Sequence, residues 1–275
     1  MKKIRVHIIQ SDITWGNPAA NIKKMSETFN GLPDGPSVVV MPELWTCSYD
    51  NPSLQYHSEQ SPRALDMLQG VARNKGLYIV AGSLPWKDQP DGPIYNRCYV
   101  IGDGGEVTGF YDKAHLFPLL DEPLFFRPGE RPFLFEIYGV TASVAICFDI
   151  RFPEFVRSIA LSGAQMIFVP AEWPSTRIDH WITLLRARAI ENQVFIVACN
   201  RCGKGGNEIY GGNSLLAAPD GNIVFQAPGS GECVNTIDTD ISNLERIRKK
   251  FPFTAGRNPR LYTPVTSMGE AEKQE

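Results

Sequence analysis

The chain repeats itself, and that repetition limits its possible folds more than any other feature. Val6-His7-Ile8-Ile9-Gln10-Ser11-Asp12-Ile13 parallels Ser143-Val144-Ala145-Ile146-Cys147-Phe148-Asp149-Ile150. Val39-Val40-Met41-Pro42-Glu43-Leu44-Trp45 parallels Phe168-Val169-Pro170-Ala171-Glu172-Trp173, and Leu77-Tyr78-Ile79-Val80-Ala81 parallels Val194-Phe195-Ile196-Val197-Ala198. Asn96 precedes Asp103-Gly104 by seven residues, as Asn213 precedes Asp220-Gly221, and Asp-Gly is a hairpin-turn signal. Buried strands share a vocabulary of Val, Ile and Ala, so any one match says little. Four in the same order favour a duplicated unit.

Apolar runs place strands at 3–11, 37–42, 77–83, 95–101, 106–112, 133–137, 140–147, 165–170, 193–199, 213–218, 222–227 and 232–237. Helices are expected near 18–30, 61–75, 153–163, 177–191 and 240–250. In the fourth, Ile178, Trp181, Ile182, Leu185, Ala189 and Ile190 keep the i, i+3, i+4 rhythm of a buried face. Each unit is then a sheet with helices outside. Two such units stacked sheet on sheet predict an α/β four-layer αββα sandwich, a single domain over 1–262. Residues 263–275 lose all periodicity and are expected to form a tail that is loose or docks on a partner subunit.

Chemistry gathers at strand ends. Val144-Ala145-Ile146 delivers Cys147, and Phe152-Pro153-Glu154 after it reads as the opening of a helix. A thiol at that junction points out of a sheet edge, and the next amide, that of Phe148, is free to donate to a reacting oxygen. Val38-Val39-Val40-Met41-Pro42 delivers Glu43, and Gly109-Phe110-Tyr111 leads to Lys113. A thiol is only a few per cent ionised near neutrality and needs an activator. Glu43 is the candidate base, and Lys113 the candidate partner of a tetrahedral oxyanion. His115 offers a Cys–His alternative, although its place two residues after Lys113 suits support of the loop better. Arg151 has two readings: an ionic clamp with Glu154, or a contact to an anionic substrate. Trp173, with Trp45 and Tyr49, is a candidate wall for a small pocket.

Three blocks carry a family resemblance: Met41-Pro42-Glu43-Leu44, Tyr111-Asp112-Lys113-Ala114-His115-Leu116, and Ile146-Cys147-Phe148-Asp149-Ile150-Arg151-Phe152-Pro153-Glu154. They resemble the signature blocks of the nitrilase, or carbon–nitrogen hydrolase, superfamily, in the family's order. The likeness runs from Ile4 to about Tyr262. It implies the same sandwich fold, catalysis by Glu43, Lys113 and Cys147 without a cofactor or metal, and a homodimer or larger assembly. It also implies that Glu122, beside Asp121, is a further glutamate that orients Lys113 and positions the hydrolytic water. Trp45-Thr46-Cys47-Ser48-Tyr49-Asp50 and Phe117-Pro118-Leu119-Leu120-Asp121-Glu122 look most like the omega-amidase branch. That branch deamidates ω-amides of 2-oxo acids such as 2-oxoglutaramate and 2-oxosuccinamate. Another carbon–nitrogen hydrolase, acting on N-carbamoyl compounds or nitriles, is the alternative within the class.

Composition removes other classes. The net charge is −3, with no basic block, so the basic footprint of nucleic-acid binding is missing. No apolar run reaches the roughly 18 residues of a membrane span. Met1-Lys2-Lys3-Ile4-Arg5-Val6-His7 reads as a strand and not as a secretion signal. A cytoplasmic enzyme is expected, acting on a small-molecule amide, with no nucleic-acid or membrane partner. Its six cysteines are expected to be thiols there. Cys199-Asn200-Arg201-Cys202 has redox or metal spacing, but neither a second pair nor a His cluster accompanies it. An inactive interaction module would have no need of Glu43, Lys113 and Cys147 together.

Overall fold

A computed structural model describes residues 3–262; the tail expected at 263–275 lies outside the described residues. The first half runs β1 (Lys3–Gln10), α1 (Pro18–Asn30), β2 (Ser37–Val40), α2 (Leu54–Lys75), β3 (Leu77–Val80), β4 (Leu84–Trp86), β5 (Tyr95–Ile101) and β6 (Val107–Asp112), followed by the one-turn helix α3 (Glu122–Phe125). The second half runs β7 (Leu134–Ile137), β8 (Val140–Val144), α4 (Pro153–Leu161), β9 (Met166–Ala171), α5 (Ile178–Asn192) and β10 (Phe195–Asn200). It continues through β11 (Cys202–Gly205), β12 (Glu208–Gly211), β13 (Leu215–Ala217), β14 (Ile223–Gln226), β15 (Cys233–Asp240) and α6 (Asn243–Lys250).

The repeat is visible in the topology. One sheet is ordered β15-β1-β2-β3-β5-β4, with β6 on β5; the other is ordered β14-β13-β10-β9-β8-β7. Thus β1-β2-β3-β5-β6 corresponds to β8-β9-β10-β13-β14. The central trio is parallel in both sheets. The sheets face each other, with β1 and β2 against β10, and enclose Val6, Ile8, Val38, Val40, Val144, Phe168 and Val197 in one apolar cluster. Each such side chain contributes roughly 1.5–3 kcal/mol by leaving water. The outer face of the first sheet buries Ile9, Val39 and Ile79 against Ile22, Met25 and Phe29 of α1 and Leu65 and Leu68 of α2. On the far side α4 and α5 add Val156, Ile159, Trp181 and Leu185. The four-layer αββα sandwich is the observed fold.

Local differences have local causes. The spacing predicts α2 from residue 61, where Ser61-Pro62 resembles a helix start, yet the helix begins at Leu54 and carries Pro62 inside it. Pro removes an intrahelical hydrogen bond. The extra turns hold because their inner face is anchored: Ser61 Oγ donates to Pro85 O at 2.6 Å, and His57 Nε2 meets Asp50 Oδ2 at 2.8 Å. The hairpin β11–β12 was not expected from its glycine-rich sequence. Bridges from Asp12 to Cys202 and from Pro174 to Tyr210 fix it in place. Finally, β15 runs to Asp240, and the last helix starts at 243 instead of 240.

Candidate active site

Three turns at one end of the sandwich build the site. After β2 the chain reverses through Pro42, Glu43 and Leu44, the last at φ +40°. Gly82 lies beneath this turn, and a Cβ there would stand 2.0 Å from Pro42 O, so only glycine allows so close an approach. Ser83 Oγ accepts the Leu44 N–H at 2.8 Å and locks the turn. Glu43 is thereby pushed, fully buried, toward the end of β6.

There it meets Lys113. Lys113 Nζ donates to Glu43 Oε1 at 2.7 Å, to Glu122 Oε2 at 2.8 Å and Oε1 at 3.0 Å, and to Tyr49 Oη at 3.0 Å. The Tyr49 hydroxyl donates to Glu43 Oε1 at 2.7 Å. Asn96 Nδ2 spans the two carboxylates, 2.9 Å from each Oε1, and Phe117 N–H donates to Glu122 Oε2. Lys113, Glu43 and Glu122 are all 0% exposed. Burial works against the Lys113 ammonium, but Glu122 and then Glu43 outweigh it and hold the group above its ordinary range. Burial also raises Glu122, with Lys113 opposing. The cluster therefore favours a charged ammonium between two buried carboxylates.

Cys147 faces this cluster from the second sheet. It is 7% exposed and adopts φ +45°, an uncommon conformation for a side chain with a Cβ. That twist turns the strand abruptly into the helical turn Cys147–Arg151. Phe148 N–H is among the first amides of that turn, which lack partners within it. Asp149 braces the turn. Its Oδ2 accepts from Ile146 N at 2.8 Å and from Tyr111 Oη at 2.7 Å, and its Oδ1 from His115 N at 2.9 Å, with His115 Nδ1 at 2.7 Å. One carboxylate thus couples the thiol turn to the segment that carries Lys113. Burial first, and Glu43 next, push the Cys147 thiol well above its ordinary range, with Lys113 opposing. Burial and the nearby Glu43 carboxylate thus favour the neutral thiol, and Sγ reaches Glu172 O at 3.8 Å.

A pocket opens over the thiol, lined by Tyr49, Phe117, Phe148, Arg151, Glu172, Trp173, Arg177 and Tyr210. The Arg151 guanidinium lies over the Trp173 ring, 4.6 Å from its centre, and makes no ion pair with Glu154 among the described residues. The clamp reading of Arg151 is therefore corrected: Glu154 is exposed on α4, and the arginine turns to the pocket. Trp173 and Tyr49 line the pocket. Trp45 does not, because its ring is buried under the first sheet, with Nε1 donating to Ala81 O at 2.9 Å. His115 stacks on Phe152 at 3.8 Å and serves Asp149, which is the loop-supporting place.

Several residues of this site went unread in the sequence. Asn96 entered only as a repeat marker, Glu172 only as the echo of Glu43, and Arg177 only as a helix start. The signal available for Glu172 was its register with Glu43. Cys199 and Cys202 sit away from this pocket on β10 and β11; Cys199 Sγ donates to Ile9 O at 3.1 Å. All six cysteines are free. Among the described residues no group of three or more His, Cys, Asp or Glu side chains is placed to hold a metal ion, and no helix is long and apolar enough to cross a membrane.

Known proteins share this arrangement of chain. The chain is 38% identical to a 2-oxoglutaramate amidase of Bacillus subtilis over 251 residues, 91% of this chain and 96% of the other. It is 31% identical to the omega-amidase YafV of Escherichia coli over 255 residues, 92% and 96% of the two chains. A carbon–nitrogen hydrolase superfamily protein of Xanthomonas campestris superposes with a TM-score of 0.87 at 28% identity, covering 94% of this chain and 98% of that one. The carbon–nitrogen hydrolase profile matches residues 5–249, so the chain belongs to the carbon–nitrogen hydrolase family and is an amidohydrolase of linear amides.

Proposed function

We propose that the enzyme releases ammonia from short, carboxylate-bearing ω-amides such as 2-oxoglutaramate through a thioester on Cys147. The observation that carries this reading is the Cys147 thiol, set against the buried Glu43–Lys113–Glu122 cluster and beneath Arg151 and Arg177, two cations with no ion pair among the described residues. As sulfur attacks the amide carbon, the thiol proton passes to Glu43. The carbonyl oxygen becomes an oxyanion held by Lys113 Nζ and Phe148 N–H, each donor worth roughly 3 kcal/mol in the transition state. Glu43 returns the proton to nitrogen, the C–N bond breaks and ammonia leaves. Water then enters and gives a proton to Glu43 as it adds to the thioester. Glu122 keeps Lys113 aligned and helps place that water. The C–S bond breaks, the proton returns to sulfur and the carboxylic acid departs.

Arg151 and Arg177 suit a substrate carboxylate, since a charge-assisted hydrogen bond contributes roughly 1.5–3 kcal/mol. The 2-oxoglutaramate amidase relative supports the same substrate class. The six free thiols suit a cytoplasmic setting, and the exposed Leu161, Ile190, Phe251 and Phe253 suit a homodimer or larger assembly. The deciding experiment offers 2-oxoglutaramate, succinamate, butyramide, an N-carbamoyl amino acid and a nitrile, and reads ammonia release. Intact-mass spectrometry during turnover should find the acyl adduct on Cys147. Turnover of the nitrile or the carbamoyl compound alone would replace this reading.

A further inference from the structure

Glu172 is the second half's counterpart of Glu43, since each follows the second strand of its repeat. Their surroundings differ. Glu43 has both oxygens engaged, Oε1 by Tyr49, Asn96 and Lys113 and Oε2 by the Glu172 N–H at 3.0 Å. Glu172 turns Oε2 to Ser48 Oγ at 2.7 Å and Arg201 Nη1 at 3.4 Å, with the Tyr210 hydroxyl close to the same carboxylate, and among the described residues Oε1 has no hydrogen-bond partner within bonding distance. The residue is only 2% exposed, and it forms part of the pocket wall beside Cys147. Buried polar atoms are almost always paired. An unpaired one on a substrate pocket points to a partner that arrives with the substrate.

Resting on the ω-amide reading above, we propose that Glu172 is a specificity-determining residue that takes up a proton as an anionic amide binds and donates Oε1–H to an oxygen of the acyl chain. Such a chain offers oxygen acceptors. Its one donor, the scissile NH2, is directed to Glu43 by the mechanism. An ionised Glu172 would repel the substrate, whereas the acid form supplies the donor the chain lacks.

The charges around Glu172 allow this. Arg201 faces it from the end of β10, but that guanidinium is shared with Asp12 Oδ1 at 3.0 Å and with the carbonyls of Ile13 and Lys204. Ser48, Tyr49 and Cys47 face it from the turn after Glu43, and Tyr210 from β12. Glu43, Lys113 and Cys147 lie across the reacting centre, and Arg151, Arg177 and Glu208 line the pocket beyond. Burial is the largest influence on Glu172 and outweighs Arg201, pushing the carboxyl up to about 7. A bound anion shifts it further toward the acid.

The test is the pH dependence of KM and kcat in the full-length enzyme, with succinamate and butyramide between about pH 6 and 9. For succinamate, KM should be flat below about pH 7 and rise by up to tenfold per pH unit above it. For butyramide it should be flat throughout. Glu172→Gln, which keeps a donor at every pH, should remove the rise; Glu172→Ala should raise KM for succinamate about tenfold at pH 6.5 and also flatten the profile. Independently of turnover, succinamate binding to the Cys147→Ala enzyme should take up a proton. Calorimetry in two buffers of different ionisation enthalpy reads this as an uptake approaching one per site near pH 8. A wild-type KM that is flat or falls with pH, an unchanged rise in Glu172→Gln, or binding without proton uptake overturns the inference. Failure to hydrolyse any ω-amide would remove the functional reading instead, and the two failures are separable because proton uptake needs no catalysis.

Discussion

The two halves share one architecture but furnish the site differently. From the first half come Glu43, Lys113 and Glu122, all unexposed, with Lys113 bonded to both carboxylates at 2.7 to 3.0 Å. From the second come Cys147, the partly buried Arg151 and Arg177, and a Glu172 with one oxygen unpartnered among the described residues. A closed, mutually satisfied cluster cannot reorganise during a reaction, which is what stabilising a transient oxyanion requires. A wall with unpaired groups can respond to what enters. On this division, changes in the first half should act on kcat. Those in the second, the nucleophile apart, should act on the choice of substrate.

The strongest test of the division is the proposed nucleophile. Cys147→Ala should lose at least about a thousandfold in ammonia release and keep nearly the wild-type Tm, because the thiol's contact to Glu172 O is a long one at 3.8 Å. Retention of more than about a hundredth of the activity would end the thioester mechanism.

Lys113→Ala should match that loss in kcat and, unlike Cys147→Ala, should also unfold more easily. It leaves Glu43 and Glu122 facing each other without a cation, and breaking a buried pair typically costs about 3–5 kcal/mol. Lys113→Arg should recover little, since a planar fork does not replace a compact ammonium among four acceptor contacts. Glu43→Gln should lose kcat with a smaller stability penalty, as Lys113 keeps Glu122. Denaturant unfolding checks the ordering, and similar stabilities for Lys113→Ala and Cys147→Ala would show that the cluster is not the closed unit described.

In the second half, Arg151→Ala and Arg177→Ala should each lower kcat/KM for succinamate by about ten- to a hundredfold while changing butyramide by less than about threefold. Equal losses on both substrates would make these arginines part of the scaffold and would blur the contrast between the halves.

Much of this contrast was legible in the sequence. Strand ends could be located because buried strands are apolar, and a charged or thiol residue just after one, such as Glu43 or Cys147, stands out against that background. The repeat made two similar sheets, stacked face to face, readable. Contacts between positions far apart in the chain were not readable. Asn96 joins Glu43 to Glu122, and Ser48 reaches Glu172 from 124 residues away. The β11–β12 hairpin was hidden for another reason. Four glycines in its ten residues suppress any strand pattern, and its pairing comes from tertiary bridges. The Arg151–Glu154 clamp fails because the guanidinium packs over the Trp173 ring, 4.6 Å from its centre, a contact between residues distant in sequence.

The smallest expected effect concerns His115, which belongs to the first half by sequence but serves the thiol turn of the second. Its ring stacks on Phe152, and its Nδ1 is one of four groups around the Asp149 carboxylate. In His115→Ala the other three remain: the Tyr111 hydroxyl and the amides of Ile146 and residue 115. Asp149 therefore stays solvated by the protein, and the loss should be near that of one hydrogen bond to a charged group, about 1.5–3 kcal/mol of stability. Activity should fall by no more than about fivefold, through a looser Cys147 turn. Glu43→Gln should by then have lost several orders of magnitude. A dead His115→Ala beside an active Glu43→Gln would move the base role to the histidine, and with it the claim that the buried cluster of the first half drives the chemistry.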